Sequence, residues 1–453
     1  AAACHLGGYS GRATYLVSPY LGIAEALGVS LYSDVVPGGA YQSTSNFRGP
    51  VVEFTDDGSQ FLANIANHDW AQYGPLDFTG KTSIEFRIAS VLEGEIGVYL
   101  DSLEGQPILT AHVPITGGLD KWQAVSADFS GIAGHHIAFL KFTAAGRERF
   151  LRLQSFRLLP ANSSEQPAER VVYAPGSTII DPKNDALFAA AVNAAKESDV
   201  ALVFVGDNRL LSDEGRDRTF LHLPEVQQDL VKAVVTANPR TVVVVNSDCP
   251  VAINWEQEHA PAVLCCFSAG EQQGNAIADA LFGEYNPSGK LCSTWYRNED
   301  QLPNFHDYDI KHGRTYMYLR RDPLYPFGHG LSYTTFSYKS LKLSGSHLLP
   351  NKAVTLTIEV SNTGRVAGSE IVQFYVQAGG ELQRPAKQLA GFHRVDLQSG
   401  ENQTVTFSLP HDHIALRYWD EGRQQFAYDP GIVGLLIGAS SVDIRLQSSV
   451  ALV

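Results

Sequence analysis

The sequence has little positive charge for its size. Its 453 residues include 34 Lys and Arg against 48 Asp and Glu, which leaves a formal charge of −14 at pH 7. A protein whose main partner is nucleic acid or an anionic membrane needs a basic surface, and this balance does not supply one. The deficit therefore argues against both partners and is compatible with a neutral ligand.

Cysteine is also scarce, and long apolar runs are absent. The five cysteines form no C-x-x-C pair, and their odd number does not fit a complete set of disulfides. Cys265 and Cys266 lie in the apolar run AVLCCF, so we predict small buried hydrophobic residues rather than metal ligands or a redox couple. No run approaches the roughly 18 apolar residues of a membrane-spanning helix. The sequence thus predicts no metal, no cofactor and no membrane span.

The first residues do not resemble the start of a polypeptide. The segment AAACHLGGYSG has neither the basic start nor the apolar centre of a signal peptide, and it has no strand pattern. We therefore expect that the chain begins inside a longer protein. Its length alone predicts roughly two to four domains.

Changes in hydrophobic pattern divide the chain into five predicted segments. Helical and continuous apolar stretches alternate in the third segment, which is typical of α/β proteins. The first segment contains a glycine turn and a helical stretch, and we assign it to the same domain. Short alternating runs between turns predict β-sandwiches in the second and fifth. The segments are the first part of an α/β sandwich domain (1–37), an inserted jelly-roll-like β-sandwich (38–160), the rest of the α/β domain (161–310), a connector (311–335) and a C-terminal β-sandwich (336–453).

The helices of the α/β domain are predicted from caps and periodicity. Ser18 is a suitable N-cap for a helix whose first residue is Pro19. The segment PEVQQDLVKAVVTAN predicts an amphipathic helix. We expect its buried face to consist of Val226, Leu230, Val231 and Val234.

The strands are of two predicted kinds. DVALVFVG and TVVVVNS are continuous apolar runs, which are typical of parallel strands buried on both faces. AVTLTIEVSNTG alternates instead, which predicts a strand with one buried face. The residues expected to face the core are Val354, Leu356, Ile358 and Val360.

The loop after VALVFVG carries the most informative polar residues. LLSDEGRDRTFLHLP places Asp213, Glu214, Arg216, Asp217 and Arg218 within six positions. In α/β folds, functional groups lie at the carboxyl ends of parallel strands. The same spacing also fits a salt-bridged surface turn without a function, so the residues alone leave both interpretations open.

This loop resembles the E-x-E-G-x-D-R segment of glycoside hydrolase family 3, and the L-x-L-P-x-x-Q that follows it is also similar to the family. SNTGRVAGSEIVQFYV and RPAKQLAGFHRVDLQSGENQTVTFSL resemble the family's fibronectin type III-like domain. The similar segments span residues 1–37 and 165–453. They also include GGYSGRATYLVSPYLGIAEALG, AIADALFGEYNPSGKLCSTWY and GRTYMYLRRDPLYPFGHGLSYTTFSY.

The resemblance implies a retaining β-glycosidase in which Glu214 is the general acid/base. In the family, the glutamate before the glycine of this loop donates the proton to the leaving group. The family's nucleophile is an Asp on an N-terminal (β/α)8 barrel, which also holds most of the sugar-binding residues. We therefore expect that this chain needs such a barrel as its partner and that it does not turn over substrate alone. Its own substrate-binding residues remain unknown from the sequence.

Two further features of the loop follow from the resemblance. Asp217 and Arg218 are expected to brace the loop rather than to contact substrate. Ser212 replaces the first glutamate of the family's segment, which removes a like charge near Glu214. The catalytic position itself is retained.

The inserted segment resembles a family 6 carbohydrate-binding module. The similar stretches are NHDWAQY, RIAS, LDSLEG, TGGLDKW and AGHHI. In that family an aromatic residue after T-G-G commonly stacks on sugar, whereas Leu119 occupies the position here. Two interpretations therefore stay open, a sugar-binding module and a spacer or interface element. Trp70, Tyr73 and Trp122 are expected to pack the core.

Three functions are compatible with these features. The first is part of an exo-acting β-glucosidase that hydrolyses terminal β-D-glucosyl residues of a β-linked oligosaccharide or glucoside. The second is part of a β-xylosidase, because QLPNFHDYDIKHGRTYMY resembles such members of the family too. The third is a non-catalytic carbohydrate-binding or scaffolding protein. The resemblance also implies a periplasmic or extracellular location, and a homodimer remains an open alternative.

Overall fold

The computed structural model describes most of the chain, and the described residues form two compact units. The first unit comprises Ala1–Asp217, Pro224–Asp248 and His259–Phe282, and the second comprises Arg218–Leu223, Cys249–Glu258 and Gly283–Val453. The described residues are 19–27, 36–41, 43–45, 50–54, 60–146, 148–160, 171–178, 180, 182–207, 211–215, 217–270, 272–380 and 382–453.

The first unit contains a β-sandwich of two antiparallel sheets. Alternation produces its core, since Ile84, Phe86 and Ile88 are fully buried while the residues between them are not. The strands are β1 (Val36–Pro37), β2 (Ser43–Thr44), β3 (Val51–Phe54), β4 (Gln60–Ala66), β5 (Trp70–Asp77), β6 (Lys81–Ser90), β7 (Gly94–Leu100), β8 (Leu109–Val113), β9 (Gln123–Asp128), β10 (His135–Ala144) and β11 (Arg149–Pro160).

The two sheets of this sandwich have different strand orders. One runs β3-β4-β11-β6-β9, with β1 paired to β11, and the other runs β2-β5-β10-β7-β8. Because β1 pairs with β11, the sandwich includes Val36 and Pro37, two residues before the predicted start at 38. The apolar faces of both sheets form one continuous core.

The rest of the first unit contains a parallel sheet. Its strands are adjacent in the order β12-β13-β14, with β13 in the centre. The strands are β12 (Ala201–Gly206), β13 (Thr241–Asn246) and β14 (Ala262–Cys266).

The position of each strand in this sheet corrects one prediction. The central strand β13 is buried on both faces, as predicted, because Val243 and Val244 are consecutive and both fully buried. In β12 Val203, its alternate neighbours Ala201 and Val205, and the terminal Gly206 are buried, whereas Phe204 is 39% exposed. Within the described sheet β12 is an outer strand, so the prediction of two buried faces was wrong for it.

The cysteine prediction was also wrong in part. Cys265 and Cys266 are half-buried rather than buried, since β14 is the other outer strand of the described sheet, and Cys292 is exposed. Burial nevertheless raises the pKa of Cys265 to about 12 and that of Cys266 to about 11. Thiols with such pKa values are poor nucleophiles and poor metal ligands near neutral pH.

Six α-helices lie in the described parts of the chain, and no helix there is long and apolar enough to span a membrane. The first begins at Pro19, as predicted, whereas its predicted cap Ser18 lies outside the described residues. The helices are α1 (Pro19–Leu27), α2 (Asp185–Glu197), α3 (Glu225–Ala237), α4 (Asn254–His259), α5 (Gln273–Phe282) and α6 (Thr315–Tyr318).

The buried face of α3 differs from its prediction at one position. Leu230, Val231 and Val234 are buried as predicted, but Val226 is only half-buried. The fourth buried residue is Gln227, which is 2% exposed. A polar side chain is buried here because it hydrogen-bonds to the backbone of β12.

The second unit ends in a second β-sandwich. Its sheets have the orders β15-β17-β20 and β16-β24-β23-β18-β19, and β21 and β22 form a separate hairpin. The strands are β15 (Phe336–Leu343), β16 (His347–Leu348), β17 (Ala353–Asn362), β18 (Gly368–Gln377), β19 (Gln388–Leu397), β20 (Asn402–Pro410), β21 (Arg417–Asp420), β22 (Gln425–Tyr428), β23 (Gly431–Gly438) and β24 (Ile444–Leu452).

The alternation predicted for β17 is confirmed. Its inward residues are at most 2% exposed, and the residues between them are exposed or half-buried. The buried residues are Val354, Leu356, Ile358 and Val360. They pack in one core with apolar side chains of both sheets.

Candidate functional site

The carboxyl ends of the parallel strands β12, β13 and β14 lie at one edge of their sheet. Asp207 directly follows β12, and Ser247 and Asp248 directly follow β13. The Asp207 carboxylate accepts hydrogen bonds from Ser247 Oγ at 2.9 Å and from the Asp248 backbone N–H at 3.1 Å. This edge is where α/β folds commonly carry functional groups. Sequence analysis did not single out these three residues, although their position after buried strands was a usable signal.

The last residue of β12 must be glycine. Gly206 has φ +147°, a backbone conformation that side chains rarely allow. It pairs with Asn246 of β13, and a Cβ at this position would collide with the Asn246 carbonyl oxygen. The chain therefore leaves β12 in a direction that only glycine permits.

Gly206→Ala is expected to destabilise the first unit by about 2–3 kcal/mol, because the added Cβ meets backbone rather than a flexible side chain. Chemical denaturation of the full chain measures the effect. Gly270→Ala is the matched control, since Gly270 also has a positive φ (+84°) but no atom within 4 Å of its added Cβ. Equal destabilisation by the two variants would contradict the steric argument.

The buried amide of Gln227 holds the end of β12 on the side that faces away from β13. The Gly206 N–H donates to Gln227 Oε1 at 2.8 Å, and Gln227 Nε2 donates to the Gly206 carbonyl oxygen at 2.9 Å. Sequence reasoning missed this residue as a functional candidate, although it is the Q of the L-x-L-P-x-x-Q segment. The last residue of β12, from which the loop departs, is thereby attached to helix α3.

Glu214 lies in a tight turn of the loop that follows β12. Its backbone N–H donates to Asp213 Oδ1 at 2.9 Å, and the next residue, Gly215, has φ +71°. The Glu214 side chain is exposed, whereas Ser212 and Asp213 are half-buried. The described residues therefore present this carboxylate to solvent, and any desolvation of it must come from another group.

The remaining predicted loop residues have separate environments. Asp217 is exposed, and Arg216 lies outside the described residues. Arg218 is half-buried, and its Nη2 donates to the Pro250 carbonyl oxygen at 2.9 Å. This bond joins Arg218 to backbone within the second unit.

The end of the loop is held by hydrogen bonds within the second unit. The Leu221 N–H donates to Glu299 Oε1 at 2.5 Å, and the Leu221 carbonyl oxygen accepts from the Ala252 N–H at 2.8 Å. The Leu221 N–H also lowers the pKa of the Glu299 carboxyl. Glu299 therefore stays ionised as a backbone acceptor, which is a structural role.

Searching the described ranges for a metal site finds no group of three or more His, Cys, Asp or Glu side chains that could hold an ion. The sequence prediction named no metal or cofactor residues.

The aromatic residues named in the β-sandwich of the first unit have different degrees of burial. Tyr73 is fully buried, and its hydroxyl donates to the Gly38 carbonyl oxygen at 2.7 Å. Trp70 and Trp122 are half-buried, each in an edge contact with one phenylalanine. The expected packing role therefore holds fully for Tyr73 and partly for the two tryptophans.

Leu119, at the position where family 6 modules commonly have a stacking aromatic, contacts an arginine through its backbone. Its carbonyl oxygen accepts from Arg152 Nη1 at 3.1 Å. The Arg152 guanidinium lies 5.2 Å from the ring centre of Phe61 and 3.3 Å from the Glu53 carboxylate. The Arg152 guanidinium thus lies over the ring of Phe61.

Two family profiles match the chain. The profile of the Glycosyl hydrolase family 3 C-terminal domain matches residues 1–333. The profile of a fibronectin type III-like domain matches residues 370–441, so the C-terminal sandwich is fibronectin type III-like. Together these matches cover residues 1–333 and 370–441.

Several characterised proteins are similar to this chain. "Periplasmic beta-glucosidase" of Salmonella typhimurium is 38% identical over 285 residues, which is 59% of this chain and 36% of the relative. "Beta-xylosidase" of Formosa agariphila is 37% identical over 278 residues, or 60% of this chain and 38% of the relative. The chain therefore spans well under half the length of these relatives.

A solved structure is similar over nearly the whole chain. The β-glucosidase from Kluyveromyces marxianus, in complex with glucose, is 25% identical with a TM-score of 0.62. The alignment covers 99% of this chain and 56% of that protein. It therefore extends over the β-sandwich of the first unit as well as over the parallel sheet.

Proposed function

The chain belongs to glycosyl hydrolase family 3 through that family's C-terminal domain, and from this premise we propose that it is the acid/base-supplying part of an exo-acting retaining β-glucosidase. Glu214 is the general acid/base in this proposal. Its substrates are terminal β-D-glucosyl residues of a β-linked oligosaccharide or glucoside. The nucleophile is supplied by an N-terminal (β/α)8 barrel outside this sequence.

The observation that carries the proposal is the position of Glu214. It lies in a turn on the loop that leaves the carboxyl end of β12, and the backbone at the start of that loop is held by Gly206 and Gln227. A general acid must reach the glycosidic oxygen from a rigid support. The relatives named β-glucosidases support the substrate class.

The exposure of Glu214 is consistent with a site that is incomplete in this chain. Retention requires a second carboxyl group about 5–5.5 Å from the acid/base, acting as nucleophile. A barrel that closes over the loop would supply that carboxylate and would also remove water from Glu214. Both changes favour the protonated acid that leaving-group departure needs.

The other parts of the chain have supporting roles in this proposal. Arg218 braces the loop through its bond to Pro250, and Asp217 is its second bracing candidate. In this proposal the β-sandwich of the first unit is a jelly-roll-like relative of carbohydrate-binding modules that serves as a spacer, because Leu119 stands where that family commonly has a stacking aromatic. The periplasmic relative supports a location outside the cytoplasm.

The test is an assay of the chain with and without a barrel of the family fused ahead of residue 1. We expect no turnover of 4-nitrophenyl β-D-glucoside by the chain alone and measurable turnover by the fusion, because only the fusion has both carboxylates. Turnover by the chain alone, or equally fast hydrolysis of cellobiose by the unmodified fusion and by a fusion that carries Glu214→Ala, would overturn the proposal.

A β-xylosidase is the second candidate, and the Formosa agariphila relative favours it. The same fusion separates the two when 4-nitrophenyl β-D-xyloside is the substrate. A kcat/KM for the xyloside above that for the glucoside would select the xylosidase. Absence of turnover on both by a folded fusion would leave the third candidate, a non-catalytic scaffold.

A further inference from the structure

We infer that Gln227 is a positioning residue for the acid/base loop, an inference that rests on the proposed role of Glu214. Gln227 does not touch the reacting atoms. It acts through Gly206, which is the last residue of the strand from which the loop departs. Its role is to hold the start of the loop to helix α3.

The carboxamide of Gln227 takes the place of a peptide group from a neighbouring strand. The residue after Gly206 turns towards β13, because the Asp207 N–H donates to the Asn246 carbonyl oxygen at 3.1 Å. The N–H and C=O of consecutive residues in a strand point to opposite sides. The Gly206 groups therefore point away from β13, and a side-chain amide, with one donor and one acceptor, satisfies both of them.

The same contact connects the start of the loop to the helix in which the loop ends. The loop begins at Asp207 and ends where Pro224 caps α3, and Gln227 lies in the first turn of that helix. Helix α3 is held in turn by Leu230, Val231 and Val234, which are at most 6% exposed. The two stems of the loop are thus tied through one rigid helix, and the turn with Glu214 lies between them.

A second buried glutamine provides a matched control. Gln273, the first residue of α5, is 1% exposed and accepts from the Ala269 N–H at 2.9 Å. Its Nε2 donates to Asn246 Oδ1 at 2.5 Å. Gln273 therefore also uses both ends of its amide within the same unit, but the backbone it holds belongs to the loop after β14, and its second partner is a side chain.

The first experiment is hydrogen exchange on the full chain with Gln227→Met and Gln273→Met. Methionine keeps the length and helix propensity of glutamine but neither donates nor accepts strongly. We expect Gln227→Met to speed exchange of the described amides in 211–223 about tenfold or more and to leave 268–270 unchanged. We expect Gln273→Met to speed exchange in 268–270 and to leave the described amides in 211–223 unchanged. Unchanged exchange in 211–223 for Gln227→Met would overturn the inference.

The second experiment measures leaving-group dependence in the barrel fusion. A displaced general acid lowers the rate of hydrolysis only for substrates whose leaving group must be protonated. Simple loss of folded enzyme lowers the rate for all substrates by the same factor. We expect Gln227→Met to lower kcat/KM about 10–100-fold on alkyl β-glucosides and less than about threefold on 2,4-dinitrophenyl β-glucoside. Gln273→Met should lower both by the same factor.

The outcomes separate the inference from the proposed function. If Glu214→Gln shows the steep dependence and Gln227→Met shows the uniform loss of Gln273→Met, only the positioning role is wrong. If Glu214→Gln itself shows no dependence on the leaving group, the acid/base assignment fails and the positioning role fails with it. A steep dependence for both variants supports the inference.

Discussion

Glu214→Gln in the barrel fusion is expected to lower kcat/KM on cellobiose about 10²–10⁴-fold, which is the usual contribution of general acid catalysis. The amide has nearly the same size but cannot donate an acidic proton to the departing sugar hydroxyl. Substrates with acidic aryl leaving groups depart without that proton and should lose far less. Steady-state kinetics on cellobiose and on 2,4-dinitrophenyl β-glucoside measure both effects.

Glu225→Gln is the matched control for this prediction. Glu225 is an exposed carboxylate at the start of α3, so its replacement removes the same charge outside the turn. We expect less than about a threefold change on either substrate, since exposed carboxylates away from a site contribute little. Wild-type turnover of cellobiose by Glu214→Gln would contradict the acid/base role. An equal loss in both variants would show that the loss comes from removing a negative charge and not from removing a general acid.

Lys290→Met is expected to destabilise the second unit by about 3–5 kcal/mol, because it leaves a buried carboxylate without its partner. Lys290 Nζ lies 3.2 Å from Glu370 Oε1, and the two side chains are only 11% and 5% exposed. Lys290 Nζ also donates to the Gly330 carbonyl oxygen at 2.8 Å. The pair links the stretch after α5 to strand β18 within one unit. Urea denaturation of the full chain measures the effect when unfolding is monitored with a probe in the C-terminal sandwich.

Arg394→Met is the control for burial. Arg394 pairs with Asp396 at 3.1 Å, but these side chains are 51% and 72% exposed. Water screens such a pair, so we expect a loss of at most about 1 kcal/mol. Combining Lys290→Met with Glu370→Met should recover part of the stability, since no unpaired charge then stays buried. A Lys290→Met loss as small as that of Arg394→Met would show that the buried pair contributes no more than an exposed one.

The predictions from sequence were accurate where local pattern decides the outcome. Alternation along β17 predicted its buried face, because successive side chains of a strand point to opposite sides. The loop around Glu214 was found because its residues are contiguous and similar to a known family. Helix α3 was predicted on the correct segment for the same reason, since its period of 3.6 residues is a local property.

The sequence by itself thus determined the kinds of element, the family and the identity of the candidate acid/base. Only the tertiary structure decided that β12 is covered on one face, because burial depends on which strands are neighbours. It also decided that Gln227 rather than Val226 is buried, since the partner that makes this burial favourable, the backbone of Gly206, lies on another element. Hydrogen bonds between residues distant in the chain leave no periodic signal, and the support of the loop is made of such bonds.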